Sequence, residues 1–136
     1  TTPSFKSTEL FPYQLCANTP GSTIEFKFKG TQFGIWDYIG PKSGCINIYV
    51  DGTILKQYTL FDNSCTYERN NYLIFPTIAN GEHSVKIELA KERPDKEKIF
   101  GKKSSSLKDL QDNPEKYAGT EVKMVKILVN GKVIKD

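Results

Sequence analysis

Residues 23–38 decide the fold: Thr23-Ile24-Glu25-Phe26-Lys27-Phe28-Lys29, then Gly30-Thr31, then Gln32-Phe33-Gly34-Ile35-Trp36-Asp37-Tyr38. In the first run Ile24, Phe26 and Phe28 fall on one face and Glu25, Lys27 and Lys29 on the other, the period-two alternation of a half-buried strand. In the last run Phe33 and Ile35 share one face, and Trp36 and Tyr38 share the opposite one. Gly30-Thr31 reads as the turn between two strands. Two aromatic rings therefore lie off the Phe33/Ile35 face.

Working outward, the same rhythm continues. Ile39-Gly40-Pro41-Lys42-Ser43-Gly44 holds the residues that tight turns require, and Cys45-Ile46-Asn47-Ile48-Tyr49-Val50 alternates again with Ile46, Ile48 and Val50 inward. Asp51-Gly52 predicts a type I′ hairpin, because such a turn needs positive φ at both central positions. The next strand is expected over 53–61. A polar loop over 62–71 precedes Tyr72-Leu73-Ile74-Phe75, and Asn80-Gly81 marks another hairpin before a strand over 83–89. Residues 90–118 break the pattern: this lysine-rich excursion contains Asn113-Pro114-Glu115-Lys116-Tyr117, where Asn113 is a cap and Pro114 a helix start. One short helix or helical turn is expected there. An apolar strand over 120–129, the turn Asn130-Gly131 and a last strand at Lys132-Val133-Ile134 close the chain.

About eight strands at hairpin spacing, each with one inward face and little helix between them, pack most economically as two antiparallel sheets around a shared core. The expectation is an all-β, two-sheet antiparallel β-sandwich of jelly-roll type, a single domain over 1–136.

Composition agrees and excludes other classes. The chain has 136 residues, 38% hydrophobic and 26% charged, which describes one compact domain that needs neither disulfides nor metal to hold a core. Nineteen Lys and Arg against sixteen Asp and Glu leave a formal charge of +3. The strand lysines alternate with Glu25, and those of the excursion with Glu92, Asp95 and Glu97, so no continuous basic groove forms and no nucleic acid is expected. No apolar run approaches the roughly 20 residues of a membrane span. The sequence starts at Thr1 with neither an initiator Met nor a signal-peptide pattern, and is expected to be a mature or excised polypeptide.

Catalytic and metal chemistry find little to stand on. The chain's three cysteines, Cys16, Cys45 and Cys65, show no C-x-x-C, and its single histidine, His83, completes no zinc set. Cys45 opens an apolar strand and reads as a small buried hydrophobe, whereas Cys16 and Cys65 lie in loop-like segments and are free to pair or not. His83 sits at a strand entry with no nucleophile turn anywhere in the chain. The domain itself is expected to be non-catalytic, with no cofactor and no metal.

The order of motifs carries a resemblance. Leu10-Phe11-Pro12, Asn18-Thr19-Pro20-Gly21-Ser22, Phe26-Lys27-Phe28-Lys29-Gly30-Thr31 with Gly34, Gly40-Pro41 with Ser43-Gly44, Val50-Asp51-Gly52, Phe61-Asp62 and Gly81-Glu82-His83 follow one another along roughly residues 7–90. As an ordered set these resemble the β-sandwich accessory domains of SGNH/GDSL-type esterases, modules similar in shape to carbohydrate-binding jelly rolls. The resemblance implies a parent acylhydrolase that deacylates sugar esters with a separate Ser/His/Asp domain, and a secreted, periplasmic or cell-surface location. It implies carbohydrate and the parent's catalytic domain as partners. The alternative is a structural module that docks on the catalytic domain and binds no ligand of its own. A structural calcium also enters with the resemblance, for which Asp51, Asp62 or Glu88 are oxygen donors, but no calcium-loop motif is present.

A sugar-binding module lays aromatic rings against the apolar face of a pyranose while polar side chains bond the hydroxyls. Trp36, Asp37 and Tyr38 form the first candidate platform. The loop over 62–72, supplying Tyr67, Glu68, Arg69, Asn70, Asn71 and Tyr72, is the second, with Arg69 suited to paired bonds with a carboxylate. Against this stand the ordinary roles of such residues: a lone tryptophan packing a sheet, and a loop arginine capping backbone carbonyls.

Overall fold

The computed structural model describes residues 8–11, 15–102 and 104–134, with the backbone alone at 8–11 and 15. Pro12 of the motif order and Lys103 of the late excursion lie outside the described residues. The strands are β1 (Thr8–Phe11), β2 (Leu15–Ala17), β3 (Thr23–Ile39), β4 (Cys45–Val50), β5 (Thr53–Thr59), β6 (Arg69–Ile74), β7 (Gly81–Leu89) and β8 (Val122–Ile134). Three short helices, α1 (Lys96–Phe100), α2 (Ser105–Asp112) and α3 (Pro114–Tyr117), fill the interval between β7 and β8. Every ladder between these strands is antiparallel.

Gly30-Thr31 is not a turn. β3 is one strand of 17 residues, paired with β7 over its first half and with β6 over its second, while β8 follows its other side from Lys27 to Tyr38. The register with β8 slips between Gly30 and Gln32, so Thr31 is an extra residue, a β-bulge. That one residue switches the inward parity. Phe26 and Phe28 are buried before it, and Phe33, Ile35, Asp37 and Ile39 after it. The bulge also bends the strand through both layers, bringing the rings of Phe28 and Phe33 to 5.6 Å and those of Phe26 and Phe33 to 6.0 Å. One layer is thus β5-β4-β7 with the first half of β3; the other is β6, the second half of β3, and β8 with β1 and β2 on its far edge. Phe75, packed on Phe33 at 4.7 Å and on Tyr58 of β5 at 5.0 Å, closes the two layers on each other. The result is the antiparallel β-sandwich of jelly-roll type expected from the alternation.

Asn130-Gly131 is likewise interior to a strand, since β8 continues to Ile134. Gly30 and Gly131 face each other at the bend, where a Cβ on Gly30 would stand 2.0 Å from the Asn130 carbonyl oxygen and one on Gly131 2.0 Å from that of Lys29. Asn80-Gly81 starts β7 but makes no hairpin: residues 75–80 cross from one layer to the other, and β6 and β7 both pair with β3 rather than with each other. Asp51-Gly52 is the tight hairpin expected, with φ of 52° and 83°. Its Asp51 carboxylate accepts from the Ser84 amide and pairs with His83 Nδ1, anchoring the turn on β7.

The excursion carries three short helices rather than one. Asp95 and Ser104 cap α1 and α2 by accepting from Lys98 N and Leu107 N. The helices close one end of the sandwich, where the rings of Phe61, Phe100 and Tyr117 meet at 5.0–6.4 Å. Lys96 donates to the Pro41 and Tyr117 carbonyls, both at 2.7 Å, and burial, followed by the nearby charges of Arg93 and Lys42, lowers its pKa to about 8. Cys45 is buried, as its apolar setting suggested. Cys16 and Cys65 are unpaired, because Cys16 is exposed on β2 whereas Cys65 is enclosed beside Asp62 and Arg69.

The bend allows no side chain at position 131, where φ is +142°. Gly131→Ala is expected to lose about 2 kcal/mol or more of unfolding free energy, from backbone strain and the blocked approach of Lys29, as read by urea denaturation. An unchanged midpoint would mean that the two strands are not continuous through the bend.

Candidate functional site

Parity along β3 sorts the candidate residues onto two faces. Cross-strand partners share a face, so the register Trp36↔Tyr72, Tyr38↔Asn70 and Tyr38↔Lys123 defines one outer surface. On it the Trp36 and Tyr72 rings lie 17° from parallel with centroids 6.0 Å apart. The indole N–H donates to Asn70 Oδ1 at 3.1 Å, and the Lys126 ammonium stands 5.3 Å from the indole centroid. Trp36, Tyr38 and Tyr72 are all half-buried. Ile74, 37% exposed, extends the apolar end.

The next row is polar. Lys123 pairs with Glu68 at 2.5 Å and with Glu121 at 3.6 Å, and the Glu68 contact leads among the causes that raise its pKa. Beyond Lys123 lies Cys16, its register partner on β2, and a cavity of about 230 Å³ lined by Cys16, Ala17, Asn18, Glu121, Val122 and Lys123. Tyr67, on the loop before β6, is 61% exposed.

The opposite parity holds different chemistry. Asp37 pairs in register with Asn71 and Met124, and its side chain is fully enclosed. This corrects its place in the candidate platform: between Trp36 and Tyr38 in sequence, it points the other way, into the core. Asn71 Nδ2 donates to its Oδ1 at 3.1 Å while Oδ2 has no partner among the described residues. Burial raises its pKa to about 7, against the smaller opposing effects of the Asn71 bond and its own amide.

Arg69 pairs in register with inward-facing Ile39 and likewise belongs to the interior side. Its guanidinium is bound to Asp62 and to the Cys65 sulfur. Burial works to raise the Asp62 carboxyl, but the Ser64 amide, Arg69 and the thiol outweigh it and hold it below its ordinary value. Burial also pushes the Cys65 thiol up. Arg69 therefore ties down the loop before β6, which explains why that strand starts at Arg69 and not at Tyr72. The three carboxylates considered for calcium are taken up separately: Asp51 by His83, Asp62 by Arg69, and Glu88 by Asn47 and Tyr49. Among the described residues no group of three or more His, Cys, Asp or Glu is placed to hold a metal ion.

The outer face thus unites Trp36, Tyr38 and Tyr72, with Glu68 at its border through Lys123. Asn70 of the second candidate loop joins it, and Lys123, Lys126 and Glu121 join it without having been singled out. Trp36 pairs with Lys126 but Asp37 with Met124, so Val125 is a second extra residue, and it breaks the alternation that would have placed these β8 lysines.

The fold and this face define an antiparallel jelly-roll module with an aromatic, polar-edged sheet surface. The same fold occurs in solved carbohydrate esterases. A two-domain esterase active on acetylated mannans aligns with TM-score 0.56 at 11% identity, over 86% of this chain and 27% of that one. A family two carbohydrate esterase from Cellvibrio japonicus gives 0.54 at 14% identity, over 93% of this chain and 34% of that one. One from Clostridium thermocellum, in complex with cellohexaose, gives 0.52 at 16% identity, over 88% and 28%. This chain thus spans about a third or less of each of these esterase chains. No protein-family model and no curated protein sequence matches it.

Because the folded-state pKa of Asp37 lies above the unfolded value of 3.8, the native chain keeps a proton that the unfolded chain has released between about pH 4 and pH 7. Its contribution is complete below about pH 4 and is lost as pH rises through 7. Asp37→Asn, which mimics the neutral acid, is expected to gain on the wild type by a few kcal/mol between pH 4 and pH 8 in urea unfolding. A difference that stays flat with pH would show that the carboxyl is not protonated in the native core.

Proposed function

We propose that this chain is a non-catalytic, carbohydrate-binding accessory module of a secreted or cell-surface SGNH-type esterase acting on glycan esters, and that sugar is held on the face built by Trp36, Tyr72 and Tyr38. The single observation that carries this reading is the pair of near-parallel, half-exposed rings of Trp36 and Tyr72, bordered by Asn70 and the Glu68–Lys123 pair. Rings of this kind take the apolar face of a pyranose, and the bordering amide, carboxylate and ammonium bond its hydroxyls. The fold shared with part of several carbohydrate esterases supports the choice of sugar over other small ligands. In this reading Tyr67, which is exposed, and Glu68, which pairs with Lys123, contact the ligand from the loop before β6. Asp37 and Arg69 support the face from beneath. Catalysis belongs to a serine-nucleophile domain elsewhere in the parent protein.

Affinity electrophoresis in gels containing acetylated or deacetylated mannan and cellulose-derived glycans tests the reading. Trp36→Ala and Tyr72→Ala are each expected to weaken retention roughly tenfold with unchanged far-UV circular dichroism. Arg69→Ala is expected to weaken retention less than either ring substitution, through the loop that Arg69 holds, and to cost about 1 kcal/mol of stability, since its partner Asp62 is itself half exposed. Absence of retention by the wild type, combined with stable association with an esterase catalytic domain added in trans, would replace this reading with the docking one.

A further inference from the structure

The outer face does not end at the aromatic pair. The row that contains Tyr38 runs across four strands: Asn70 on β6, Tyr38 on β3, Lys123 on β8 and Cys16 on β2. It opens onto the 230 Å³ cavity at the start of β8, whose polar groups are Asn18, Glu121 and Lys123. Two strand spacings separate Tyr38 from Cys16, and two residues separate Trp36 from Tyr38, so the path from the indole to the cavity is on the order of 12 Å. A single hexose cannot reach both ends; a chain of about three can. The two ends also differ in chemistry. Around Trp36 the surface is dominated by the two rings, with Asn70 and Lys126 beside them, and around Lys123 it offers an ammonium and two carboxylates. Among the described residues of this row and the aromatic pair, Lys126 and Lys123 balance Glu68 and Glu121, leaving no excess charge there to select an anionic sugar.

Resting on the sugar-binding reading above, we infer that the ligand is a neutral oligosaccharide of about three hexose units, stacked at Trp36 and Tyr72 and continuing past Tyr38 and Lys123 into the cavity edged by Cys16, Asn18 and Glu121. The cavity is a second subsite that reads hydroxyls, and the aromatic pair is the first. The domain then recognises stretches within a glycan chain rather than isolated sugar units.

Two built-in reporters test this in the intact domain. Trp36 is the chain's only tryptophan, and Cys16 is exposed whereas Cys45 and Cys65 are buried. Mannopentaose, cellohexaose, mannose and glucose are titrated while indole fluorescence and the rate of Cys16 modification by DTNB are followed, with Cys16→Ser identifying the reacting thiol. The expected result is that an oligosaccharide changes the fluorescence and slows Cys16 modification about fivefold or more with the same midpoint. The matching monosaccharide changes only the fluorescence. Glu121→Ala is expected to weaken the oligosaccharide and not the monosaccharide, and Trp36→Ala to abolish protection of Cys16. A fluorescence response to the oligosaccharide without Cys16 protection would refute the second subsite and leave the first standing. No fluorescence response to any of the four sugars would contradict the binding reading itself.

Discussion

The whole arrangement depends on one extra residue in the ladder between β3 and β8. A strand of 17 residues with unbroken alternation would keep one face throughout; with Thr31 inserted, the inward set changes from Phe26 and Phe28 to Phe33 and Ile35. Both halves of the strand then face the same core, and the bend between them turns one continuous sheet into two layers. Gly30 and Gly131, opposite each other at the crossing, permit the backbones to approach there. Every fully buried phenylalanine in that core is worth about 2–3 kcal/mol, so the register that buries Phe28, Phe33 and Phe75 together is strongly held.

The surface chemistry follows from the same parity. Since Phe33 and Ile35 must be inside, Trp36 and Tyr38 must be outside, and Asp37 between them must be inside. The cost of that last placement appears as a carboxyl that keeps its proton to about pH 7. On β6 the pattern repeats: Tyr72 and Asn70 face out toward Trp36 and Tyr38, while Asn71 and Arg69 turn in to serve Asp37 and Asp62. A polar support layer therefore lies directly beneath an aromatic one, which fixes the rings on rigid strands rather than on loops.

Much of this was legible in the residues themselves. The alternation over 23–29 and 33–38 identified strands and placed Trp36 and Tyr38 together off the core, and Asp51-Gly52 identified its hairpin. The bend at Thr31 was not legible, because Gly30-Thr31 and the facing Asn130-Gly131 carry the same residues that turns require, and only the pairing partner distinguishes a bend from a reversal. Position beside Trp36 and Tyr38 suggested a shared site for Asp37, but neighbours in a strand face opposite ways. Arg69 looked like a loop group because the strand onset depends on its pairing with β3 and on Asp62, contacts that no local pattern encodes. Lys123 and Lys126 carried no signal, since the extra residue at Val125 separates them from the alternation. The helices of the excursion were visible only at Asn113-Pro114, their short lengths and tertiary anchors Phe100 and Tyr117 leaving little periodicity to read.

The central claim is that the switch of parity at Thr31 turns the indole of Trp36 outward. Acrylamide quenching of the single tryptophan in the folded domain tests it most directly. The account predicts quenching well above that of an enclosed indole, falling short of a free one because Tyr72 and Lys126 cover part of the ring. Quenching as weak as that of a core tryptophan, rising only when the domain unfolds, would place position 36 in the interior and contradict the account.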